Sequence, residues 1–572
     1  MEESRTVGQG RRLAAGWQSL IACLLSAGLY VLAFPSGNVP ETAYVFAVPL
    51  LLLGLFTRPA KREGWMILFS GWIGWAILLI WLKNVTSHLE MALAPVLGWL
   101  AVIGLSGIMA IFWWVWFAGS LRLVRSSVEK SLLARLGAVL ALAGFWVFLE
   151  WVRCVLFTGF PWLPLSVSQW QRPLLLQITS VTGGYGLSFV LVAFNAGLAF
   201  YLHSLWYSRR EKWWRRFSFE FYLALFLLFG AIGFGLYSSG AGHRERIAGP
   251  KVAFTQPNVG AFEKWDQALI QDNLRDLEDL TTYASYLGAE LVLWPEAPTP
   301  APVKGDPRMQ NWVEQLARKT GLPMLIGNIA VEDDPASFAP RAYNSIFKVD
   351  PVTGVDIESY YSKRHLVPFG EYVPFAGYLP FLRKIIPVPL DFYPGNSDLP
   401  IEFGSSKTTF GEAGLLVCYE DIFPQYARKN TLAGADWHFV ATNNGWFGEG
   451  SAGWQHAAHS VLRAVETRRP VVRCGNAGWS GWIDEFGHIR HVMLDDKQSI
   501  YFQGVEVVGL TMNRWWSGRL SPYVQLGDWF VGLASFVFGL GLLFIRIAGP
   551  RHAPVTVYNR RGLMSGLRLN DK

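Results

Sequence analysis

Long blocks of apolar residues occupy the first 240 positions of the chain, and one further block lies near its C-terminal end. A helix needs roughly 20 consecutive apolar residues to cross about 30 Å of hydrocarbon. The blocks predict eight membrane-spanning helices, at 13–34, 43–57, 65–82, 94–118, 132–157, 178–202, 219–238 and 524–546. The composition, 51% hydrophobic and 16% charged, excludes a single soluble core. Further spans follow the first block closely, which indicates a retained anchor and not a cleaved signal peptide.

The pattern changes after Gly249-Pro250, where short apolar stretches begin to alternate with amphipathic ones. Six stretches predict strands and three predict helices: 251–257, 290–294, 323–330, 343–350, 414–418 and 437–442 for the strands, and 264–287, 307–320 and 453–468 for the helices. This alternation favours a layered α/β fold. We therefore predict a membrane domain of about seven helices at 1–240, an α/β domain at 241–520, a final spanning helix at 521–548 and a basic tail at 549–572.

Lysines and arginines mark alternate connections between the predicted spans, and such residues are retained on the cytoplasmic side of a membrane. They precede the first span, follow the second, fourth and sixth, and fill the tail: Arg5, Arg11, Arg12, Arg58, Lys61, Arg62, Arg122, Arg125, Lys130, Arg135, Arg209, Arg210, Lys212, Arg215, Arg216, Arg546, Arg551, Arg560, Arg561, Arg568 and Lys572. The alternation predicts cytoplasmic termini and places 239–523 on the outer face. The net charge of +7 lies beside membrane ends, which indicates lipid headgroups and not nucleic acid as the anionic partner.

Three polar motifs in the α/β segment predict a covalent thiol mechanism. Cys418 ends the apolar stretch Gly-Leu-Leu-Val (414 to 417), Glu296 ends Trp-Pro-Glu (294 to 296), and Lys363 lies in Ser-Lys-Arg-His-Leu-Val-Pro-Phe-Gly-Glu-Tyr (362 to 372). A thiolate attacks a carbonyl group, an adjacent ammonium stabilises both thiolate and oxyanion, and a carboxylate moves the protons. These residue types predict Cys418 as the nucleophile, Lys363 as the oxyanion partner and Glu296 as the general base.

The order of the three motifs resembles the Glu-Lys-Cys set of the nitrilase superfamily. The Lys-Arg-His-Leu-Val-Pro-Phe-Gly-Glu-Tyr form (363 to 372) and the flanking spans resemble the apolipoprotein N-acyltransferase family of bacterial inner membranes. The resemblance implies a nitrilase-like αββα sandwich, a carbon-nitrogen hydrolase domain, outside the membrane. It also implies supporting roles for Glu371, Tyr419, Glu420 and Trp265. The sequence departs from the family pattern at Asn443-Asn444-Gly445, where the family often shows Asn-Asp-Ala.

The resemblance further implies an acyltransferase that moves an acyl chain from a phospholipid, usually phosphatidylethanolamine, onto cysteine. The acyl chain then passes to the α-amine of a diacylglyceryl-cysteine at the N-terminus of an apolipoprotein. No cofactor and no metal are expected, since His456 and His459 lack a third ligand at suitable spacing. We expect a monomer in the inner membrane, with the catalytic domain on the periplasmic side.

Several alternatives remain open at this point. A membrane-tethered amidase would use the same triad and pass the acyl group to water, and a transporter or scaffold would need no thiol. An oxidising compartment permits a disulfide between Cys418 and Cys474. Glu150 and Arg153, one helical turn apart near a span end, predict mutual pairing. The apolar stretches 374–393 and 160–164 are expected to act as lids over the site.

Overall fold

A computed structural model describes residues 2–35, 37–57, 61–87, 92–207, 217–242, 245–260, 263–334, 339–385, 388, 390–395, 405–408 and 411–548. The predicted basic tail, 549–572, and the basic segment 209–216 lie outside these residues. The helices, in chain order, are α1 Glu2–Leu32, α2 Val48–Phe56, α3 Lys61–Leu78, α4 Leu82–Val85, α5 Ala94–Ser127, α6 Leu132–Val155, α7 Pro173–Leu176, α8 Thr179–Thr182, α9 Gly184–Tyr207, α10 Phe219–Gly242, α11 Ile270–Tyr286, α12 Pro307–Thr320, α13 Leu382–Ile385, α14 Pro424–Leu432, α15 Ser451–Thr467, α16 Pro522–Leu526 and α17 Trp529–Ile547.

The strands are β1 Arg246–Gln256, β2 Leu291–Trp294, β3 Met324–Asp333, β4 Pro340–Asp350, β5 Gly354–Val355, β6 Tyr361–Ser362, β7 Ser405–Thr408, β8 Gly411–Val417, β9 Trp437–Thr442, β10 Val471–Gly475, β11 Gly481–Ile483, β12 Ile489–Val492 and β13 Gly504–Asn513. Short 3-10 turns separate several of these elements: Pro40–Tyr44, Leu165–Gln169, Glu263–Trp265, Cys418–Ile422, Asn444–Phe447 and Arg514–Trp516.

Within the described part of the chain, five helices are long and apolar enough to cross a membrane: α5, α6, α9, α10 and α17. They coincide with five of the predicted spans, and their length and composition are those of a membrane protein. The first three predicted spans contain helices that are shorter or more polar. The second predicted span is divided in the structure into the 3-10 turn Pro40–Tyr44 and α2, which has nine residues and is about 14 Å long.

The apolar segment before α2 is broken by a turn, and a single side chain of α9 satisfies the backbone groups that the break exposes. Asn195 accepts a hydrogen bond from the Ala47 N–H at 2.8 Å and donates one to the Ala43 carbonyl at 2.8 Å. Asn195, Ala43 and Ala47 are fully buried. Hydrocarbon offers no partner for a free backbone group, so an irregular segment at membrane depth needs such a partner from the protein.

The soluble domain consists of two facing sheets among the residues that the structure describes. One has the strand order β13-β1-β2-β3-β4-β5, with β6 paired to β4, and the other has the order β12-β11-β10-β9-β8-β7. Parallel pairs form the centre of each sheet, β1-β2-β3 in the first and β8-β9-β10 in the second. Strand side chains alternate between the two faces, so Leu415 and Val417 join the core between the sheets while Leu416 points away from it.

Helices cover the outer faces of both sheets, which confirms the predicted αββα sandwich. Helices α11 and α12 pack on the first sheet, and α14 and α15 pack on the second. Helix α15 is buried nearly all around, because its other face packs against the membrane helices. The outer side of the second sheet and the membrane domain therefore share one continuous hydrophobic core.

Replacing Asn195 with leucine should lower the free energy of unfolding by about 2 kcal/mol or more, because it leaves two buried backbone groups without a partner. Thermal unfolding of the protein in one fixed detergent would measure the loss. Ser26→Ala is the matched control, since the buried Ser26 hydroxyl has no hydrogen-bond partner among the described residues. Equal melting temperatures for the two variants would contradict this role of Asn195.

Candidate active site

Glu296, Lys363 and Cys418 follow the ends of three strands that the two sheets bring together. Glu296 lies just beyond β2, Lys363 follows β6 directly, and Cys418 follows β8 in the opposite sheet. All three side chains are buried, with exposures of 8%, 1% and 7%. The structure therefore brings the three predicted residues into one buried site at the strand ends, where α/β sheets commonly form sites.

Carboxylates surround the Lys363 ammonium. Its Nζ lies 2.9 Å from Glu371 Oε2 and 3.8 Å from Glu296 Oε1. Asn344 Nδ2 joins the two acids, since it donates to Glu296 Oε1 at 2.7 Å and to Glu371 Oε1 at 2.9 Å. Burial alone would lower the pKa of Lys363, but Glu371 and Glu296 outweigh it and raise that pKa above its usual range. Lys363 is therefore a fixed cation.

The thiol of Cys418 is neutral at rest. Burial raises its pKa to about 12, and the Glu296 carboxylate adds to the rise while Lys363 opposes it. A neutral thiol is a poor nucleophile, so attack requires a base. Glu296 Oε2 is buried and has no hydrogen-bond partner among the described residues, so it is free to accept a proton.

Glu420 joins the turn that carries Cys418 to the loop that carries Lys363. Its Oε2 accepts hydrogen bonds from the Val417 N–H at 2.7 Å and the Tyr361 hydroxyl at 2.6 Å, and its Oε1 accepts one from the Arg364 N–H at 2.7 Å. Cys418 has a φ of 50°, a left-handed conformation that costs a non-glycine residue about 1–2 kcal/mol. The bonds to Glu420 hold the strained turn in place.

Comparison with known proteins identifies the family. Residues 26–197 match the apolipoprotein N-acyltransferase N-terminal domain, and residues 251–504 match the carbon-nitrogen hydrolase domain. The chain is 33% identical to the apolipoprotein N-acyltransferase of Geobacter metallireducens over 82% of this chain and 86% of that protein. The chain belongs to the apolipoprotein N-acyltransferase family. The corresponding protein of Allorhizobium ampelinum is 31% identical over 83% of this chain and 88% of its own length.

A solved amidase of the nitrilase superfamily, from Nesterenkonia AN1, also aligns with the chain. The TM-score is 0.35 at 19% identity, over 50% of this chain and 96% of the amidase. The apolipoprotein N-acyltransferase relatives, which cover most of the chain, favour acyl transfer over the amidase alternative.

Asp421 has a structural role in this family member that the sequence analysis missed. It is fully buried, pairs with Arg473 and accepts hydrogen bonds from Ser460 and from His456 Nε2. Burial disfavours its charge, but Arg473 and His456 prevail and hold the pKa of Asp421 below its usual range. The same His456 Nε2 lies 3.2 Å from the Cys418 carbonyl. Through His456, Asp421 therefore supports the turn that carries Cys418.

Asn444, at the departure from the family pattern, orients that histidine. Its Nδ2 lies 3.1 Å from His456 Nδ1 and donates to it. The proton of a neutral His456 then lies on Nε2, where it faces Asp421 and the Cys418 carbonyl. His459 accepts from the Leu163 N–H at 3.4 Å. Both histidines of the predicted helix 453–468 therefore form hydrogen bonds with other groups of the protein.

The remaining site predictions lie at the edge of the triad. Tyr419 is buried and packs against His365 and Phe423. Trp265 is 37% exposed, and its ring centre lies 4.4 Å from Lys264 Nζ. Lys264 was predicted at the start of a helix over 264–287, but α11 begins only at Ile270 and Lys264 is buried.

Three further expectations are corrected. Cys418 and Cys474 are both free, so the disulfide alternative is wrong. In the described part of the chain no direct ion pair joins Glu150 to Arg153, because Glu150 binds the Leu165 N–H at 2.7 Å while the Arg153 guanidinium lies 5.4 Å from the Trp75 ring centre. The 160–164 stretch is no lid, since Trp162 is only 1% exposed.

Replacing Glu420 with glutamine should slow turnover about 30- to 100-fold without unfolding the protein. Both carboxylate oxygens of Glu420 accept hydrogen bonds, whereas a glutamine side chain has one oxygen and would turn its NH2 group toward some of the same donors. A buried donor left without an acceptor costs about 2–3 kcal/mol. Turnover by the purified variant, with its melting temperature, checks this. The control is Glu358→Gln, on an exposed loop. Full activity of the Glu420 variant would show that the turn does not depend on this carboxylate.

Proposed function

We propose that this chain is a membrane-bound acyltransferase that acylates the α-amine of diacylglyceryl-cysteine at the N-terminus of apolipoproteins. The acyl donor is a phospholipid, phosphatidylethanolamine, and the intermediate is a thioester on Cys418. The observation that carries the proposal is a buried Glu-Lys-Cys site whose domain shares a continuous core with membrane helices. Relatives named apolipoprotein N-acyltransferase over most of the chain support the substrate class.

In the first half-reaction Glu296 takes the proton of the Cys418 thiol, and Sγ attacks the ester carbonyl of the phospholipid. The carbonyl oxygen becomes an oxyanion, which the Lys363 ammonium stabilises together with a backbone N–H after Cys418. The oxyanion collapses, the C–O bond breaks, and the lysophospholipid alkoxide leaves with the proton from Glu296. The acyl chain remains on Sγ as a thioester.

In the second half-reaction the neutral α-amine of the lipoprotein attacks the thioester carbonyl. Glu296 takes a proton from the attacking nitrogen, and Lys363 again stabilises the oxyanion. When the oxyanion collapses, the C–S bond breaks and the thiolate recovers its proton from Glu296. The amide product leaves, and the site returns to its resting protonation state.

The predicted topology fits this reaction. We propose that the protein lies in the bacterial inner membrane as a monomer, with both termini cytoplasmic and the 241–520 domain on the periplasmic side. The domain then faces the leaflet that supplies donor and acceptor. The 374–393 stretch carries large exposed apolar side chains, among them Phe375 at 62% and Tyr378 at 88%, which suit a lid over long acyl chains.

Wild-type protein incubated with phosphatidylethanolamine should gain one fatty-acyl mass, and Cys418→Ser should gain none. Intact-mass spectrometry in detergent detects the adduct, and hydroxylamine releases it. Glu296→Gln should slow acylation at least 100-fold, and Lys363→Met about 100- to 1000-fold, since each removes one required interaction.

Cys474→Ser is the matched control, because that buried cysteine lies outside the triad and donates to the Thr255 and Leu293 carbonyls. It should acquire the acyl group and transfer it to a diacylglyceryl-cysteine peptide. A folded wild-type protein that gains no mass and instead hydrolyses small amides would replace this proposal with the amidase.

A further inference from the structure

Lys264 is a buried lysine beside the site to which no step of the reaction assigns a role. It lies in the 3-10 turn Glu263–Trp265, and only 6% of it is exposed. Its Nζ donates a hydrogen bond to the Ala297 carbonyl at 2.8 Å, and the Trp265 ring covers its other side. A buried ammonium is costly unless it has a partner, so this placement requires a compensating interaction.

The carbonyl that Lys264 binds belongs to the residue next to Glu296. Ala297 has a φ of 42°, in the left-handed region, which a residue with a Cβ adopts at a cost. On the other side, the Glu296 N–H donates to the Thr442 carbonyl at 3.4 Å. The backbone around Glu296 is thus fixed by β9 from one side and by Lys264 from the other.

The charge of Lys264 also acts on Glu296. Burial lowers the pKa of Lys264 to about 8, while the nearby Glu296 carboxylate opposes the decrease. Near neutral pH the lysine is therefore largely an ammonium. Lys264 therefore adds a second positive charge, besides Lys363, to the surroundings of Glu296.

We propose that Lys264 is a positioning residue for the base Glu296: it holds the Ala297 carbonyl, and with it the strained turn that aims the carboxylate, and it places a second cation near that carboxylate. The inference rests on the proposed function, because it assigns Glu296 as the base. It also links Trp265 to the chemistry, since that ring covers the ammonium and lies at the exposed edge of the site.

Other charged groups also face Glu296, and a pH experiment must separate their effects. They are Lys363 and Glu371 from the loop after β6 and the Cys418 thiol from the turn after β8. None of these is altered by a substitution at Lys264, so a change in the pH profile on substitution reports the lost cation.

The test compares wild type, Lys264→Met and Lys264→Arg by the rate of Cys418 acylation from phosphatidylethanolamine between pH 5.5 and 9.5. Methionine keeps the length of the side chain and removes both the charge and the donor. We expect at least a tenfold slower rate at neutral pH, and a smaller difference from wild type above about pH 8, where the wild-type lysine itself loses its proton. Arginine keeps the cation at alkaline pH and should recover most of the rate there, where wild type declines above about pH 8.

Lys319→Met is the control, because Lys319 is an exposed lysine on α12 that pairs with Glu278. Its rate and profile should match wild type. An unchanged Lys264→Met rate, or a loss that is equal at every pH and accompanied by a lower melting temperature, would overturn the inference and leave Lys264 with a packing role.

A second readout separates this inference from the proposed function. Alkylation of Cys418 by iodoacetamide, followed by peptide mass spectrometry, requires the thiolate but no lipid substrate. Slower alkylation in Lys264→Met, with a shifted pH dependence, supports the inference even for a wild type that takes no acyl group from phospholipid. Equal alkylation of both proteins at every pH contradicts the inference whatever the donor.

Discussion

The burial of the Lys363 ammonium between two carboxylates is the interaction on which the rest of the site depends. A lone buried cation would be expelled or neutralised, so the fold must bring it two acids, Glu296 from the end of β2 and Glu371 from the loop after β6. Asn344 ties the two acids together, and the Val367 N–H binds Glu371 Oε2 at 2.8 Å. Each acid therefore neutralises the lysine while its own position is fixed by the sheet.

The contacts between the α/β domain and the apolar helices fix this site relative to those helices. Gln455 on α15 accepts hydrogen bonds from the indoles of Trp81 and Trp162, at 3.2 and 2.9 Å, and donates to the Pro35 carbonyl. Glu466 accepts from the Gly184 N–H, where α9 begins. Helix α15 also carries His456, so the same helix anchors the domain and supports the turn that carries Cys418. The position of the thiol relative to the apolar helices is thus set by α15 and not by a flexible linker.

The sequence was enough to predict the roles of residues that lie in short chemical motifs. It was not enough to predict the roles of residues that depend on partners far away along the chain. The triad was predictable because each member lies in a short polar motif, and β1 to β4, β8 and β9 were predictable from their apolar stretches. Strand β10 was missed, since Arg473 interrupts its apolar pattern, and only the fold shows that Asp421 pairs with that arginine. Lys264 was predicted to begin the amphipathic helix 264–287, because no local pattern reveals that its side chain is buried. The break before α2 was hidden because the hydrogen-bonding partner, Asn195, lies about 150 residues away.

The proposed reaction also leaves the total charge of the site unchanged. Two ammonium groups, Lys264 and Lys363, face two carboxylates, Glu296 and Glu371, and the thiol is neutral, so the buried site has no net formal charge at rest. Moving the thiol proton to Glu296 relocates one negative charge to sulfur, and the attack relocates it again to the oxyanion. Lys363 faces the charge throughout, so no step requires solvent to enter and stabilise a new ion.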